Sequence, residues 1–302
     1  VDLSVTTWGP SGAPTVVLVH GYPDTHAVWI PVAELLEARG LRAVAYDVRG
    51  AGASDAPEGR EAYRLDHLVG DLAAVVDAVS PERPVHLVGH DWGSIQCWQA
   101  LTDPRLAGRI ASYTSISGLP LDHAARWMRG RAKRGRFVVL ARQGVRSSYV
   151  GAFHLPGFAA AARRGHRLID RTRGRWAATL RRVDRARTDH DWPAPTFGRD
   201  VGNGMALYRA NFGDRLRRRR PVQRTDVPVL LVQPTADRFV PAWLFEGIEE
   251  VAPDLRRVDL DARHWVVRSH PAEIASLIAD HLAAHPAADR VVDPAAGPPA
   301  GG

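Results

Sequence analysis

Lysine and cysteine are almost missing from this 302-residue chain: each occurs once, as Lys133 and Cys97. A single cysteine excludes an internal disulfide and any metal site built from cysteines, and Cys97 itself reads as buried filler. No apolar run approaches the ~20 residues needed to cross a bilayer, and no charged segment followed by an apolar core opens the sequence as a secretory signal would. Internal repeats are absent. So are a dinucleotide fingerprint and a Walker loop, and no cofactor is called for. What is there, 45% hydrophobic and 24% charged residues, is ordinary for a globular protein expected in the cytoplasm. The length suits one core carrying a sizeable insertion.

Apolar, β-branched runs recur at Thr15 to Val19, Leu41 to Tyr46, Val85 to Val88, Ile110 to Ile116 and Val229 to Val232. Each has the texture of a parallel strand buried on both faces. Helical patterns lie between or after them, at Val28 to Arg39, His67 to Val79, Ile95 to Leu101, Pro241 to Val251 and Ala272 to His285. Strands alternating with helices specify an α/β fold with a mostly parallel sheet. Leu3 to Trp8 adds an antiparallel edge strand. The alternation fails between Leu119 and Gln223, where the chain turns arginine-rich and helical. The expected organisation is therefore a core from 1 to 118, a helical lid from 119 to 223, the rest of the core from 224 to 285, and a disordered tail or linker from 286 to 302.

The net charge of +7 comes from arginine, crowded into Arg126 to Arg142, Arg163 to Arg187 and Arg215 to Arg220. A basic surface attracts nucleic acid or anionic membrane. No helix-turn-helix, zinc or aromatic RNA-binding signature accompanies it, so nucleic acid is not an expected partner. A solvated basic face is the plainer reading, and peripheral membrane contact through the lid stays open.

The run Val88-Gly89-His90-Asp91-Trp92-Gly93-Ser94 reads as strand, sharp turn and helix with an acid at the tip. It resembles the nucleophile elbow of the α/β-hydrolases, whose tip residue sits in a strained conformation that small neighbours permit. An aspartate there implies an alkyl ester of a carboxylate as the covalent intermediate. That fold places an acid and then a histidine after the nucleophile. Asp237 follows the strand Val229 to Val232, and His264 follows Arg257 to Leu260, so His264 is the expected base and Asp237 its orienting acid. Asp122, after Ile110 to Ile116, is the rival acid. In His20-Gly21-Tyr22-Pro23, the amide of Tyr22 is expected to join that of Trp92 in an oxyanion hole. Asp47 to Asp55 reads as a turn behind the site.

Together with Asp237-Arg238-Phe239-Val240-Pro241 and His264-Trp265, these motifs resemble the epoxide hydrolases of the α/β-hydrolase fold, over essentially residues 1 to 285. The fold has a further strand before Leu3 to Trp8, so the chain is expected to start inside it. The resemblance implies hydrolysis of a small apolar epoxide to a vicinal diol with water as co-substrate. It further implies that two lid tyrosines, matched here by Tyr149 and Tyr208, polarise the epoxide oxygen and donate a proton. His154 stands where that family has glutamine. The elbow equally resembles haloalkane dehalogenases, where Asn after His-Gly or a second tryptophan holds halide; Tyr22 occupies the Asn position, and Trp127 and Trp176 are the tryptophans on offer. A non-catalytic basic binding protein is the third reading. Pro81 to Leu87 and Asp103 to Ala111 resemble actinobacterial proteins in which such a hydrolase precedes a short-chain dehydrogenase.

Overall fold

The apolar runs build the sheet because burial on both faces is the only way to remove them from water. The computed structural model describes residues 1–221 and 223–287; most of the expected tail, residues 288–302, lies outside the described residues. Strands β1 (Val5–Trp8), β2 (Thr15–Val19), β3 (Arg42–Tyr46), β4 (Val85–His90), β5 (Ile110–Ile116), β6 (Val229–Pro234) and β7 (Leu255–Leu260) form a seven-stranded sheet in the order β1-β3-β2-β4-β5-β6-β7. The edge strand β1 pairs antiparallel with β3, and every other pairing is parallel.

Successive side chains of a strand point to opposite faces, and β2 divides accordingly. Val17 and Val19, with Leu87 of β4, meet α2 (Leu65–Val79) and α3 (Trp92–Ala100), whereas Val16, Leu18 and Val88 meet α1 (Ile30–Glu37) and the C-terminal α12 (Pro271–Ala284). From β2 the chain crosses to β3 on one side, while β4 lies on the other. The loops leaving β2 and β4 therefore diverge, which opens a crevice at the strand C-termini where open α/β sheets bind ligands.

Between β5 and β6 lie the helices α4 (Leu121–Lys133), α5 (Phe137–Arg146), α6 (Ser148–Phe153), α7 (Phe158–Arg164), α8 (His166–Asp170), α9 (Arg173–Thr179) and α10 (Phe197–Arg217). The long α10 ties this segment to the core. Asn203 donates to the Gly50 carbonyl at 3.0 Å, the Gly52 amide donates to Asp200 at 3.2 Å, and Asn211 bridges the Tyr63 carbonyl and the Leu65 amide, both at 2.9 Å. The Asp47 to Asp55 loop thus packs under the inserted helices. A short α11 (Val266–Ser269) precedes α12.

One expected element does not form. Pro241 to Val251 is two 3₁₀ turns, Ala242–Phe245 and Ile248–Glu250, because Gly247 between them adopts φ 77°, a left-handed conformation that ends helical hydrogen bonding. The helical pattern from Val28 is likewise split, into a 3₁₀ turn at His26–Trp29 and then α1.

Candidate active site

Asp91 joins β4 to α3 at φ 52° and ψ −119°, a region in which a residue with a Cβ is strained and which surrounding structure must enforce. The enforcement is visible in its neighbours. A Cβ on Gly93 would lie 2.0 Å from the Val19 carbonyl oxygen, and one on Gly21 would lie 2.4 Å from Asp91 Oδ2. The strands approach this closely because both positions are glycine.

The backbone divides the roles of the two carboxylate oxygens. The Tyr22 amide donates to Oδ2 at 2.8 Å, and the Trp92 amide is a second backbone donor to the carboxylate. Oδ1 is turned towards His264, whose Nε2 is 3.8 Å away, too far for a direct hydrogen bond. Burial pushes the Asp91 carboxyl up, opposed by the positive charge of His264 and by the two amides. The Tyr22 loop is itself held by His20: the Val48 amide donates to His20 Nε2 at 2.9 Å, so Nδ1 carries the proton and donates to the Gly21 carbonyl, also at 2.9 Å. The Tyr22-Pro23 bond is cis.

His264 Nδ1 meets Asp237 Oδ2 at 2.9 Å, while Asp237 Oδ1 accepts the amides of Phe239 at 2.7 Å and Val240 at 3.0 Å. Burial disfavours charge on His264, but Asp237, Asp91 and Asp184 outweigh it and raise the imidazole from 6.5 to about 9. Burial likewise opposes ionisation of Asp237, yet its imidazole partner and the two amides hold that carboxyl below its ordinary value. Asp122 is not brought to the histidine. It pairs instead with Arg215 on α10.

A cavity of 550 Å³ opens above Asp91, bordered by Trp92, Tyr149, Tyr208, Phe239 and aliphatic residues from α4 and α5. The rings of Tyr149 and Tyr208 stand edge to face with centroids 5.7 Å apart. Burial, reinforced by the Asp91 charge, raises both phenols far above their ordinary value, so both carry their protons. Trp127 and Trp176 do not border this cavity; Trp127 is buried, and Trp176 stacks on Phe197. Cys97 is buried in α3, and burial raises its thiol.

Three residues around these groups escape sequence reasoning. Asp24 is buried, with Oδ1 accepting the Trp192 indole N–H at 2.8 Å and Oδ2 that of Trp265 at 3.0 Å. It ties the inserted segment to the residue that follows His264. His90 Nε2 donates to the His264 carbonyl at 2.9 Å, and burial lowers the imidazole to about 3, so it is neutral. Asp184, in the π-helical turn Leu180–Asp184, faces His264 and accepts the Trp265 amide. Asp24 had one signal, its place directly after Pro23; Asp184 had none, because its neighbour is 80 residues away.

Burial, opposed by the two indoles, raises Asp24 from 3.8 to about 6. The folded state therefore holds this proton to higher pH than the unfolded chain, and stability falls as pH rises through that window. In Asp24→Asn this part of the slope should vanish. The amide also points an NH₂ at one indole N–H, so a loss of ~1–3 kcal/mol is expected at neutral pH. Denaturant midpoints of both proteins across pH check each point.

The comparisons with known proteins agree with this fold. A model of the alpha/beta hydrolase fold family matches residues 14–271. The chain is 35% identical over 288 residues to the probable oxidoreductase EphD of Mycobacterium tuberculosis, covering 93% of this chain but 47% of EphD. It thus spans about half the length of that relative. It is 30% identical over 317 residues to epoxide hydrolase A of the same species, covering 93% and 94% of the two chains. In structure it resembles an epoxide hydrolase from Bacillus megaterium with a TM-score of 0.76, 22% identity and coverage of 93% and 96%, which speaks to the fold. With a family model over most of its length and a full-length relative at this identity, the chain belongs to the α/β-hydrolase fold family and, within it, to the epoxide hydrolases.

Proposed function

We propose that this protein hydrolyses an epoxide to a vicinal diol in two steps, with Asp91 as nucleophile and residues 119–223 as the lid over the site. The observation that carries the reading is the cavity itself: a carboxylate held by two backbone amides faces two protonated tyrosines across apolar walls. With Oδ2 accepting the Tyr22 amide and Oδ1 turned towards His264, Oδ1 is the attacking atom. It displaces the epoxide oxygen in line as the C–O bond breaks, and Tyr149 and Tyr208 hydrogen-bond that oxygen while one of them supplies the proton. Water then attacks the ester carbonyl, giving its proton to His264 Nε2, whose ring is fixed by Asp237. Negative charge develops on Oδ2, which already accepts the Tyr22 amide, with the Trp92 amide as the second backbone donor to the same group. Collapse returns the proton from His264 to the leaving alkoxide, and the second water proton, left on the Asp91 carboxyl, restores the tyrosine that gave up its own.

The new diol oxygen originates in Asp91, so a single turnover in ¹⁸O-water should give unlabelled diol and label in the enzyme, read by mass spectrometry. Labelled diol in the first turnover would remove the covalent route. Tyr149→Phe and Tyr208→Phe should each slow ester formation by about 10²-fold, in the range for loss of one acid–base group, while leaving hydrolysis of a preformed ester unchanged. Release of halide from a haloalkane, with neither tyrosine mattering, would favour the dehalogenase reading. Against that reading stand Tyr22 in the Asn position and the distance of Trp127 and Trp176 from the cavity lining.

A further inference from the structure

The charge of this chain is not spread evenly. Residues 123–183 carry fifteen arginines and one lysine against a single acid, Asp170, a balance of +15; since the whole chain totals +7, the rest is −8. Where this segment faces the core its cations find acids, as Arg126 does at Glu250 and Arg131 at Glu246. Its outer side is different. Among the described residues, eight large hydrophobic side chains are exposed, and six of them belong to this same segment.

Three of the six are on α5. Val138 is 83% exposed, Val145 76% and Phe137 65%. Positions 138 and 145 lie two helical turns apart on one side, with the exposed Arg142 beside them. Leu140, Gln143 and Gly144, on the opposite side of α5, border the catalytic cavity. The next exposed pair, Leu155 and Phe158, brackets the α6–α7 turn next to His154, which also borders the cavity. A second cleft, of 380 Å³ and lined by five arginines, Arg64, Arg209 and Arg217 among them, against two acids, Glu61 and Asp214, shares His154 and Gly213 with the cavity. Apolar side chains and guanidinium groups are therefore interleaved around one edge of the site.

We infer that this outer face of the lid docks on an anionic lipid bilayer, inserting Phe137, Val138 and Val145 of α5 at the headgroup boundary while the surrounding arginines engage lipid phosphates. Exposed apolar residues beside cations on an amphipathic helix are the pattern of an in-plane membrane contact, and each basic residue near an anionic leaflet adds to the attraction. A nucleic-acid partner would use the arginines but leaves the exposed valines unexplained. The contact is peripheral, because no helix among the described residues is long and apolar enough to cross a membrane. It sets the cavity edge against the lipid phase. The inference stands apart from the chemistry proposed above, since binding is read without turnover.

The test is co-sedimentation of the protein with phosphatidylglycerol-containing and pure phosphatidylcholine vesicles. Binding to the anionic vesicles should be at least about tenfold tighter and should weaken with salt. The triple variant Phe137→Ser, Val138→Asn, Val145→Asn should lose about tenfold of that binding while keeping its thermal midpoint and its turnover of a water-soluble epoxide. Three results would overturn the inference: no preference for anionic vesicles, a triple variant that binds as the parent does, or duplex DNA or RNA displacing the protein from the vesicles at equal phosphate concentration.

Discussion

Asp91→Ala should remove turnover by about 10⁴-fold or more, the scale on which a covalent nucleophile matters, and should do so without unfolding the protein. In the proposed mechanism the carboxylate is more than the attacking group. Its charge raises His264, Tyr149 and Tyr208 together, so the three titrating partners of the reaction all respond to whether Asp91 is charged. When the ester forms, that charge disappears. The phenols then give up a proton more readily, at the moment when the opened oxygen needs one, and the His264 imidazole also releases its proton more readily before the water step. Alanine mimics the loss of charge without the ester. The His264 imidazole, at about 9 in the parent, should therefore titrate lower in Asp91→Ala, which NMR of the ring would read. Alanine at φ 52° keeps the backbone strain of the elbow; Asp91→Gly relieves it and should be the more stable of the two inactive variants. Turnover within tenfold of the parent in either variant would dismiss Asp91 as the nucleophile.

How much of this was legible in the sequence follows from the range of each interaction. The buried strands announce themselves because every residue of β2, β4 and β6 is buried and most are apolar, and the elbow does so because its backbone demands glycines at fixed offsets. Asp237 and His264 are placed by strand ends, which periodicity locates to within a residue or two. Residues that act across the chain are another matter. Asp24 meets Trp192 and Trp265 through contacts 168 and 241 residues apart in sequence, and its place after Pro23 does not point to either indole. The missing helix at Pro241 to Val251 had the right apolar spacing; one left-handed glycine overrode it. Tyr149 and Tyr208 are the intermediate case. Likeness to known relatives, rather than pattern, selected them from six tyrosines, and the fold then set them side by side.

His264→Gln should separate the two half-reactions. Every group needed for ester formation survives the change: Oδ1 of Asp91, the amides of Tyr22 and Trp92, and the two phenols. The group proposed to activate water does not. Incubation with excess epoxide should then convert the enzyme stoichiometrically to a species heavier by one substrate, seen by intact mass, while steady turnover falls by about 10⁴-fold. In the parent, ester formation should vary little with pH around neutrality, since His264 is protonated there in the free enzyme, whereas ester hydrolysis should slow towards acid as the imidazole of the alkylated enzyme takes up a proton. The glutamine variant should lose that second dependence. Stability carries the same signature. The folded-state imidazole is raised from 6.5 to about 9, so its ion pairing with Asp237 and Asp91 contributes fully below the unfolded value and is lost as pH rises through the folded one. The parent should weaken across that alkaline window and His264→Gln should not. A glutamine variant that accumulates no adduct yet still binds the epoxide would mean that the imidazolium is needed in the first step, and the division of labour between Asp91 and His264 would have to be redrawn.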